Sequence, residues 1–395
     1  MSNWQELDKK YTMHTIDRIP VTLVRGEGAR VWDENGREYL DFLAGIAVDS
    51  LGHCHPSVVD AITEQANTLI QVSGWFYTIP PVKLGRLLVE NSCFDQVFFC
   101  NSGAEANEGA VKLARRYGHL NLNGAYEVIT ATNSFHGRTL LMTAATGQDR
   151  MHKPYTPLPS GFQYVAFNDI EAIKAATTDK TCAIMLEPIQ GEGGVNVPDD
   201  DYLAAVRAWC DEKGILLILD EVQTGIGRLG SLFGYQEYGI EPDIITLAKG
   251  LGSGIPIGAF MAKEHAAVFS PGDHGSTFGG NVLTCAAAYA TIKYIIENDI
   301  PAKVRKTGQY LVEGLKKLQN KYPLITDVRG RGLLIAIGLD REIGKELTMA
   351  CLERGLLAVW VKANALRFVP PLTIGNSEVD EALSILDEAL SSISS

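Results

Sequence analysis

Two stretches of the sequence decide the fold: Ile215-Leu216-Leu217-Ile218-Leu219-Asp220 and Asp243-Ile244-Ile245-Thr246-Leu247-Ala248-Lys249. The first is an unbroken aliphatic run and the second is nearly so, which is the pattern of parallel β-strands buried on both faces. The first run ends at Asp220 and the second at Lys249. Because ligands of open parallel sheets bind beyond the carboxyl ends of the strands, we expect the acid and the amine to share one crevice.

Each of these two residues also has an ordinary explanation. An aspartate after a strand often begins a turn, and a lysine there often reaches back to water. Together they fit pyridoxal phosphate (PLP), which needs a lysine amine for a Schiff base and a carboxylate facing its pyridine nitrogen. The carboxylate keeps that nitrogen protonated, and burial lowers the pKa of a lysine toward the reactive free amine. Asp220 and Lys249 therefore predict a PLP enzyme.

The composition favours a globular enzyme over several other classes of protein. The chain has 395 residues, 46% hydrophobic and 21% charged, which suggests two or three domains with ample core. A formal charge of −12 argues against nucleic acid or an anionic membrane as a partner. Seven cysteines without a C-x-x-C pair fit free thiols in a reducing cytoplasm. We identify neither a secretory signal nor a run long enough to be a transmembrane helix.

Short apolar runs alternate with helical patterns between residues 95 and 260, which is typical of a parallel sheet flanked by helices. We also predict a hairpin over residues 31–42, a helix over 57–70, helices over 281–321 with a break near 300, and a final helix over 379–393. The predicted strands are Gln96–Cys100, Glu127–Ala131, Cys182–Glu187, Ile215–Asp220, Ile244–Ala248, Gly258–Ala262, Leu333–Leu339 and Leu357–Val361.

The predicted fold class is therefore α/β, with a mainly parallel central sheet in a large domain and a smaller α+β domain. We expect residues 1–50 to form an N-terminal extension that contributes to the small domain. Residues 51–290 would form the large domain, and residues 291–395 the C-terminal small domain.

One helix start is a candidate phosphate site. Ser102 and Glu105 form a capping-box pattern, which alone could explain both residues. Alternatively, the amides of Gly103 and Ala104 and the hydroxyl of Ser102 would hold a phosphate at the helix N-terminus.

Other candidate site residues follow further predicted strands. Phe135 and Val222 could cover the two faces of a flat cofactor, although core packing is an ordinary role for Phe135. An arginine at this edge, such as Arg138, usually pairs with a carboxylate. Glu192 lies in a Gly-rich loop that could simply be solvated, and Arg367 could belong to an ordinary ion pair.

These motifs together resemble the class III (ω-amino acid) aminotransferases among the fold-type I PLP enzymes. The resemblance runs from Gly26-Glu27-Gly28-Ala29-Arg30-Val31-Trp32-Asp33 to the C-terminal helix. Its most selective part is Leu219-Asp220-Glu221-Val222-Gln223-Thr224-Gly225-Ile226-Gly227-Arg228, followed by Lys249.

The resemblance implies cofactor-binding roles for residues of these motifs. Lys249 would form the Schiff base, Asp220 would face the pyridinium nitrogen, and Gln223 would hydrogen-bond the phenolic oxygen. Thr277 would reach the phosphate from the other subunit, so a homodimer with shared active sites is expected. The remaining implied contacts are the phosphate cup Ser102, Gly103 and Ala104 and the ring sandwich Phe135 and Val222.

The resemblance also implies a substrate site. Arg138 would bind the distal carboxylate of the amino donor, Arg367 the α-carboxylate of glutamate, and Glu192 would pair with Arg367. Ile16 would offer an apolar wall beside an acylated nitrogen, where a free ammonium would be poorly solvated. Ser276 is a further candidate contact.

The implied reaction is transfer of the terminal amine of N2-acetyl-L-ornithine to 2-oxoglutarate, giving N-acetylglutamate 5-semialdehyde and L-glutamate, as in arginine biosynthesis. N-succinyl-diaminopimelate is a further possible amino donor. The alternatives are another class III aminotransferase, for ornithine, 4-aminobutyrate or succinylornithine, an aminomutase of the same fold, or a non-catalytic PLP-binding protein. No metal is expected, because His53 and His55 lack a third clustered ligand.

Overall fold

The structure is a computed structural model and describes residues 3–394. The strands, in chain order, are β1 (Leu23–Glu27), β2 (Arg30–Asp33), β3 (Glu38–Asp41), β4 (Gln96–Cys100), β5 (Glu127–Ala131), β6 (Phe162–Val165), β7 (Thr181–Leu186), β8 (Leu216–Asp220), β9 (Ile244–Leu247), β10 (Gly258–Ala262), β11 (Ile325–Arg331), β12 (Leu334–Leu339), β13 (Leu356–Leu357), β14 (Val359–Lys362) and β15 (Ala365–Phe368). The helices are α1 (Trp4–Tyr11), α2 (Ala44–Ala47), α3 (Pro56–Thr68), α4 (Ile79–Glu90), α5 (Gly103–Asn121), α6 (Leu140–Ala145), α7 (Asp149–His152), α8 (Ile170–Ala176), α9 (Tyr202–Lys213), α10 (Val282–Glu297), α11 (Ile300–Lys321), α12 (Gly344–Glu353) and α13 (Asn376–Ser394).

The central sheet has seven strands in the order β4-β10-β9-β8-β7-β5-β6. Strand β10 is antiparallel to both of its neighbours, and the pairs from β9 to β6 are all parallel. Strands β8 and β9 are adjacent, with Asp220 opposite Thr246. The sheet confirms the predicted α/β class and brings the ends of the two deciding runs together.

The apolar runs correspond to the centre of the core. Every residue of β7, β8 and β9 is buried, because helices cover both faces of the sheet. Burial of apolar surface stabilises the folded state by roughly 25 cal/mol per Å², so these central strands contribute strongly to stability.

The long helices are amphipathic. In α11 the buried residues Val304, Leu311, Leu315 and Leu318 lie on one face, whereas its lysines are on the opposite, exposed side. Within residues 3–394, no helix is both long enough and apolar enough to cross a membrane.

Two smaller sheets join distant parts of the chain. One has the order β1-β2-β3-β13, so a strand from the C-terminal part pairs with the N-terminal hairpin. The other has the order β11-β12-β15-β14 and pairs Ala336 of β12 with Arg367 of β15. The proposed division at residues 50 and 290 stays a prediction, although the mixed sheet agrees with an N-terminal contribution to the small domain.

Most predicted elements are confirmed within one or two residues, including the hairpin, in which Gly36 has φ +82° in the turn. The sequence did not predict β1, β6, β11 or β15, and the prediction of one strand over Leu357–Val361 was wrong, because β13 and β14 are separate strands in different sheets. Strand β15 was missed because it has only four residues and carries a buried arginine, Arg367, where an apolar side chain is typical. The sequence analysis therefore named Arg367 as a candidate site residue but did not predict that it lies on a strand.

Candidate active site

A cavity of about 480 Å³ opens beyond the carboxyl ends of β5, β7, β8 and β9. Asp220 ends β8, and Lys249 lies two residues after the end of β9. The sheet therefore presents both side chains to one crevice, as predicted. The predicted residues that line the cavity are Ser102, Gly103, Ala104, Phe135, Arg138, Glu192, Asp220, Val222, Gln223 and Lys249.

Asp220 is buried and held from several sides. Its Oδ2 accepts hydrogen bonds from Asn107 Nδ2 and from His136 Nδ1, each at 2.8 Å, and its Oδ1 accepts one from the amide of Val222 at 3.0 Å. The hydroxyl of Thr246 donates to Asn107 Oδ1 at 2.6 Å, which fixes the orientation of the asparagine. A buried carboxylate with this many donors has one orientation in the site.

His136 is the titratable neighbour of Asp220. Burial opposes its protonation, but the hydrogen bond and the attraction of Asp220 outweigh burial and raise the pKa of His136. The same hydrogen bond holds the carboxylate of Asp220 in place. This pairing supports a carboxylate that can face a protonated ring nitrogen.

Lys249 has an unusual backbone and an unpaired amine. Its φ is +40°, a left-handed value that is rare outside glycine and is often found at functional positions. Its amine forms no hydrogen bond or ion pair within residues 3–394. Burial, helped by Arg367, outweighs the attraction of nearby carboxylates and lowers the pKa of Lys249. A larger fraction of the amine is therefore uncharged and nucleophilic.

The start of α5 serves as a cap and also suits a phosphate. Ser102 Oγ accepts a hydrogen bond from the amide of Glu105 at 3.2 Å, and the Glu105 carboxylate accepts one from the amide of Asn101 at 2.9 Å. The first amides of a helix have no acceptor within the helix. A Cβ at Gly103 would lie 2.9 Å from Val222 Cγ1, so a larger residue would crowd the cradle.

The walls of the cavity combine apolar groups with a cation. Phe135 and Val222 are both half-buried and line the cavity, and their role on either side of a ring stays a prediction. The guanidinium of Arg138 lies 5.6 Å from the centre of the Phe135 ring. Arg138 is exposed, and no carboxylate between residues 3 and 394 pairs with it. It is therefore available to a carboxylate of the substrate.

Arg367 lies behind the cavity wall and is 2% exposed. Its Nη1 donates to Glu192 Oε1 at 2.6 Å and to Gln223 Oε1 at 3.1 Å, while Gln223 Nε2 donates to Glu192 Oε1 at 3.2 Å. Burial opposes the ionisation of Glu192, but the attraction of Arg367 and Lys249 and these hydrogen bonds lower its pKa to about 2. Glu192 and Gln223 line the cavity and separate Arg367 from it.

Besides Arg367, three predicted residues do not line this cavity. Thr277 is exposed, and its carbonyl accepts a hydrogen bond from Gln71 Nε2 at 2.7 Å. Ser276 is at the rim, where its Oγ accepts a hydrogen bond from Asn101 Nδ2 at 3.1 Å. Ile16 is 70% exposed and lines a separate groove of the N-terminal segment. Their roles stay predictions.

Sequence reasoning missed several residues of the site. Asn107 and His136, which position Asp220, also line the cavity, as does Glu187 directly after β7. Burial raises the pKa of Glu187, whose carboxylate accepts hydrogen bonds from the amides of Phe135 and Gly191. A signal was present for Asn107, since it is one helical turn after Gly103 and faces the sheet.

The site fits PLP. The unpaired amine of Lys249, the fixed carboxylate of Asp220, the helix start at Ser102 and the apolar faces of Phe135 and Val222 provide the groups that this cofactor requires. The fold and the site together define a PLP-dependent transferase.

The chain belongs to the class III aminotransferase family, whose model matches residues 11–390. An acetylornithine aminotransferase from Caldanaerobacter subterraneus subsp. tengcongensis is 55% identical over 387 residues, with 98% of each chain covered. An acetylornithine aminotransferase from Methanocaldococcus jannaschii is 52% identical, covering 99% of this chain and 98% of the relative. A solved ornithine aminotransferase from Toxoplasma gondii, described with partial occupancy of PLP at its active site, matches with a TM-score of 0.95, 35% identity and coverage of 99% and 94%.

Proposed function

We propose that the chain transfers the terminal amine of N2-acetyl-L-ornithine to 2-oxoglutarate, giving N-acetylglutamate 5-semialdehyde and L-glutamate. The observation that carries this proposal is the contrast between the two substrate arginines. Arg138 is free at the cavity mouth, whereas Arg367 is covered by Glu192. An amino donor that reacts through its terminal amine has one carboxylate at its far end and none beside the reacting carbon. The names of the two curated relatives support the same amino donor.

Lys249 and Asp220 have different roles in the reaction. When bound, PLP supplies an electron sink that makes the proton on the carbon next to the reacting nitrogen removable. Lys249 Nζ takes that proton and later returns one, first as a general base and then as a general acid, and positioned transfer of this kind contributes about 10²–10⁴-fold. Asp220 would face the ring nitrogen of the bound cofactor, and hydrogen bonds from His136 and Asn107 hold its carboxylate in one orientation.

The substrate arginines select the two substrates in turn. Arg138 would bind the carboxylate of acetylornithine, and Glu192 would keep Arg367 neutralised during this half-reaction. In the second half-reaction 2-oxoglutarate brings a carboxylate next to its keto carbon. Glu192 would then release Arg367 Nη1 but stay close to it, so that Arg367 can bind the substrate carboxylate. Ile16 remains a proposed contact for the acylated nitrogen, on the N-terminal segment.

Ornithine is the second candidate amino donor, because the Toxoplasma gondii structure that this fold matches is an ornithine aminotransferase. The test is a screen of kcat/KM with 2-oxoglutarate fixed and N2-acetylornithine, ornithine, 4-aminobutyrate and N-succinyl-diaminopimelate as amino donors. We expect acetylornithine to be the best substrate. A preference for free ornithine would overturn the amino donor assignment, and turnover without any keto acid would indicate an aminomutase instead.

We also propose that the chain acts as a homodimer with shared active sites in the cytoplasm. Thr277 is outside the cavity of its own chain, and Phe278 beside it is 62% exposed. Trp75, Phe76 and Tyr77 are 91%, 70% and 103% exposed, and large exposed aromatic groups are enriched at protein interfaces. The cytoplasmic location is supported by the seven cysteines, all free.

A further inference from the structure

Arg228 is a buried cation that has no carboxylate partner among residues 3–394. It lies in the turn after β8 and is 2% exposed. Its Nη1 donates to the carbonyls of Leu333 at 3.0 Å and Pro370 at 2.6 Å, and its Nη2 is buried without an acceptor in the described part of the chain. Glu221 is the nearest buried acid along the chain, but it does not pair with Arg228. Its carboxylate accepts hydrogen bonds from the amides of Gly234 and Tyr235. A buried guanidinium without a counter-charge is costly, so its retention needs a reason.

Arg228 lies close to Arg367. The two carbonyls that it binds belong to Leu333, directly before β12, and to Pro370, two residues after β15. Strands β12 and β15 are paired, and Arg367 lies on β15 opposite Ala336. Burial and the like charge of Arg367 lower the pKa of Arg228. Arg228 therefore holds the ends of the strands that carry Arg367 and adds positive potential behind it.

The charges around Arg367 do not balance without a ligand. Glu192 Oε1 binds only Nη1 of Arg367, and Arg367 Nε is buried with no acceptor among residues 3–394. Two guanidiniums thus share one carboxylate. A second carboxylate would bring this buried group to neutrality and would supply an acceptor for donors that are now unpaired.

We propose that Arg228 is a positioning residue of the α-carboxylate subsite, whose charge and hydrogen bonds hold Arg367 ready for a substrate carboxylate while Glu192 remains nearby. This inference rests on the proposed function, since it takes 2-oxoglutarate and glutamate as the second substrate pair. Without Arg228, one guanidinium would face two carboxylates, and the substrate would bind against a net negative charge. The amino donor, which places no carboxylate at Arg367, would not depend on Arg228.

If Arg228 had only a structural role, its effect on carboxylate binding would not depend on its charge. The experiment therefore compares a replacement that removes the charge with one that keeps it. The holoenzyme is titrated calorimetrically with glutarate, a five-carbon dicarboxylate that lacks the keto group and cannot react. In Arg228→Gln, which keeps a hydrogen-bond donor but loses the charge, we expect glutarate affinity to fall by about 10- to 30-fold, the size of effect expected when one nearby charge is removed at an effective dielectric constant near 20. Arg228→Lys keeps the charge and should bind glutarate like the wild type.

Kinetics and a matched control complete the test. In Arg228→Gln the KM for 2-oxoglutarate should rise, while the single-turnover half-reaction with the amino donor keeps its rate. Arg207→Gln is the control, because Arg207 is another poorly exposed arginine and is paired with Asp243, directly before β9 and thus at the end of that strand away from the cavity. It should leave glutarate affinity unchanged.

Equal glutarate affinity in Arg228→Gln and the wild type would overturn the inference. Equal losses in Arg228→Gln and Arg228→Lys would also overturn it, since they would show a structural role. If Arg228→Gln does not fold, Arg228→Met, which is also uncharged, is titrated in its place: lower glutarate affinity than in Arg228→Lys supports the inference, and equal affinity contradicts it. A wild-type enzyme that neither binds glutarate nor uses 2-oxoglutarate would instead refute the proposed function.

Discussion

The proposed role of Asp220 depends on its negative charge and on the side chains of Asn107, His136 and Thr246, which fix its orientation. In Asp220→Asn the shape and most hydrogen bonds are kept, but the negative charge opposite the ring nitrogen is lost. We expect kcat to fall by about 10²–10³-fold, the usual effect of removing one preorganised electrostatic group. The far-ultraviolet circular dichroism should be unchanged. Kinetics equal to those of the wild type would show that Asp220 does not stabilise a protonated ring.

The contact between Asp220 and His136 should make the free energy of unfolding depend on pH. Asp220 raises the pKa of His136 above its ordinary value of 6.5 in the folded state. The stabilisation from this pair is therefore fully present below pH 6.5 and is lost as the pH rises through the higher folded value. The difference in free energy of unfolding between the wild type and Asp220→Asn, measured with urea, should shrink over that range. A difference that grows with pH would contradict the pairing.

Glu192 is expected to control access to Arg367. A charge-assisted hydrogen bond is worth about 1.5–3 kcal/mol, so removing it could change the preference between half-reactions by roughly 10–150-fold. Glu192→Ala should therefore speed the glutamate half-reaction relative to the acetylornithine half-reaction in stopped-flow measurements. Glu192→Gln can still accept a hydrogen bond from Arg367 but carries no charge. Its ratio of half-reaction rates should lie between those of the wild type and Glu192→Ala. An unchanged ratio in Glu192→Ala would reject the gate.

Among the elements, the start of α5 joins helix capping to phosphate binding. Ser102→Ala loses the hydrogen bond from the amide of Glu105, which costs about 0.5–2 kcal/mol of stability. It also loses a hydroxyl from the phosphate cradle, so PLP affinity measured by equilibrium dialysis should fall. Ser102→Thr keeps the hydroxyl and is the control. A stability loss without any loss of PLP affinity would restrict Ser102 to capping.

The central strands could be predicted from the sequence because burial on both faces makes each a continuous apolar run. The same logic placed Asp220 and Lys249 at one edge, since both follow such runs. It failed for β15, where Arg367 interrupts the run, and for β6, an edge strand with partly exposed residues. In these strands the sequence pattern was too short or too mixed to predict a strand.

The short α2 shows a second limit of prediction from sequence. Its four residues have φ between +47° and +69°, although only Gly45 is a glycine. Left-handed residues other than glycine cost roughly 1–2 kcal/mol each, so the surrounding contacts must impose this turn. At the start of α2, Asp41 Oδ1 accepts hydrogen bonds from the amides of Leu43 and Ala44. Val48, directly after α2, lines the cavity. No local pattern signals such a turn.

For the whole molecule, the position of Thr277 predicts sharing of the active site between subunits. Co-expression of Lys249→Ala with Thr277→Ala should give heterodimers with one intact site, formed by Lys249 of one chain and Thr277 of the other. We expect these heterodimers to be more active than either homodimer, with subunit composition verified by differential tags. Full activity of an isolated monomer would contradict the shared site.

The whole reaction can be followed through one nitrogen atom. N2-acetyl-L-ornithine carrying ¹⁵N only at its terminal amine is incubated with 2-oxoglutarate and the holoenzyme, and the products are analysed by mass spectrometry. We expect the label in L-glutamate, in amounts equal to the semialdehyde formed, and no transfer by Lys249→Ala, which should also lack the visible absorbance of the lysine-bound cofactor. Unlabelled glutamate, or transfer by Lys249→Ala at a near-normal rate, would contradict terminal-amine transfer through Lys249.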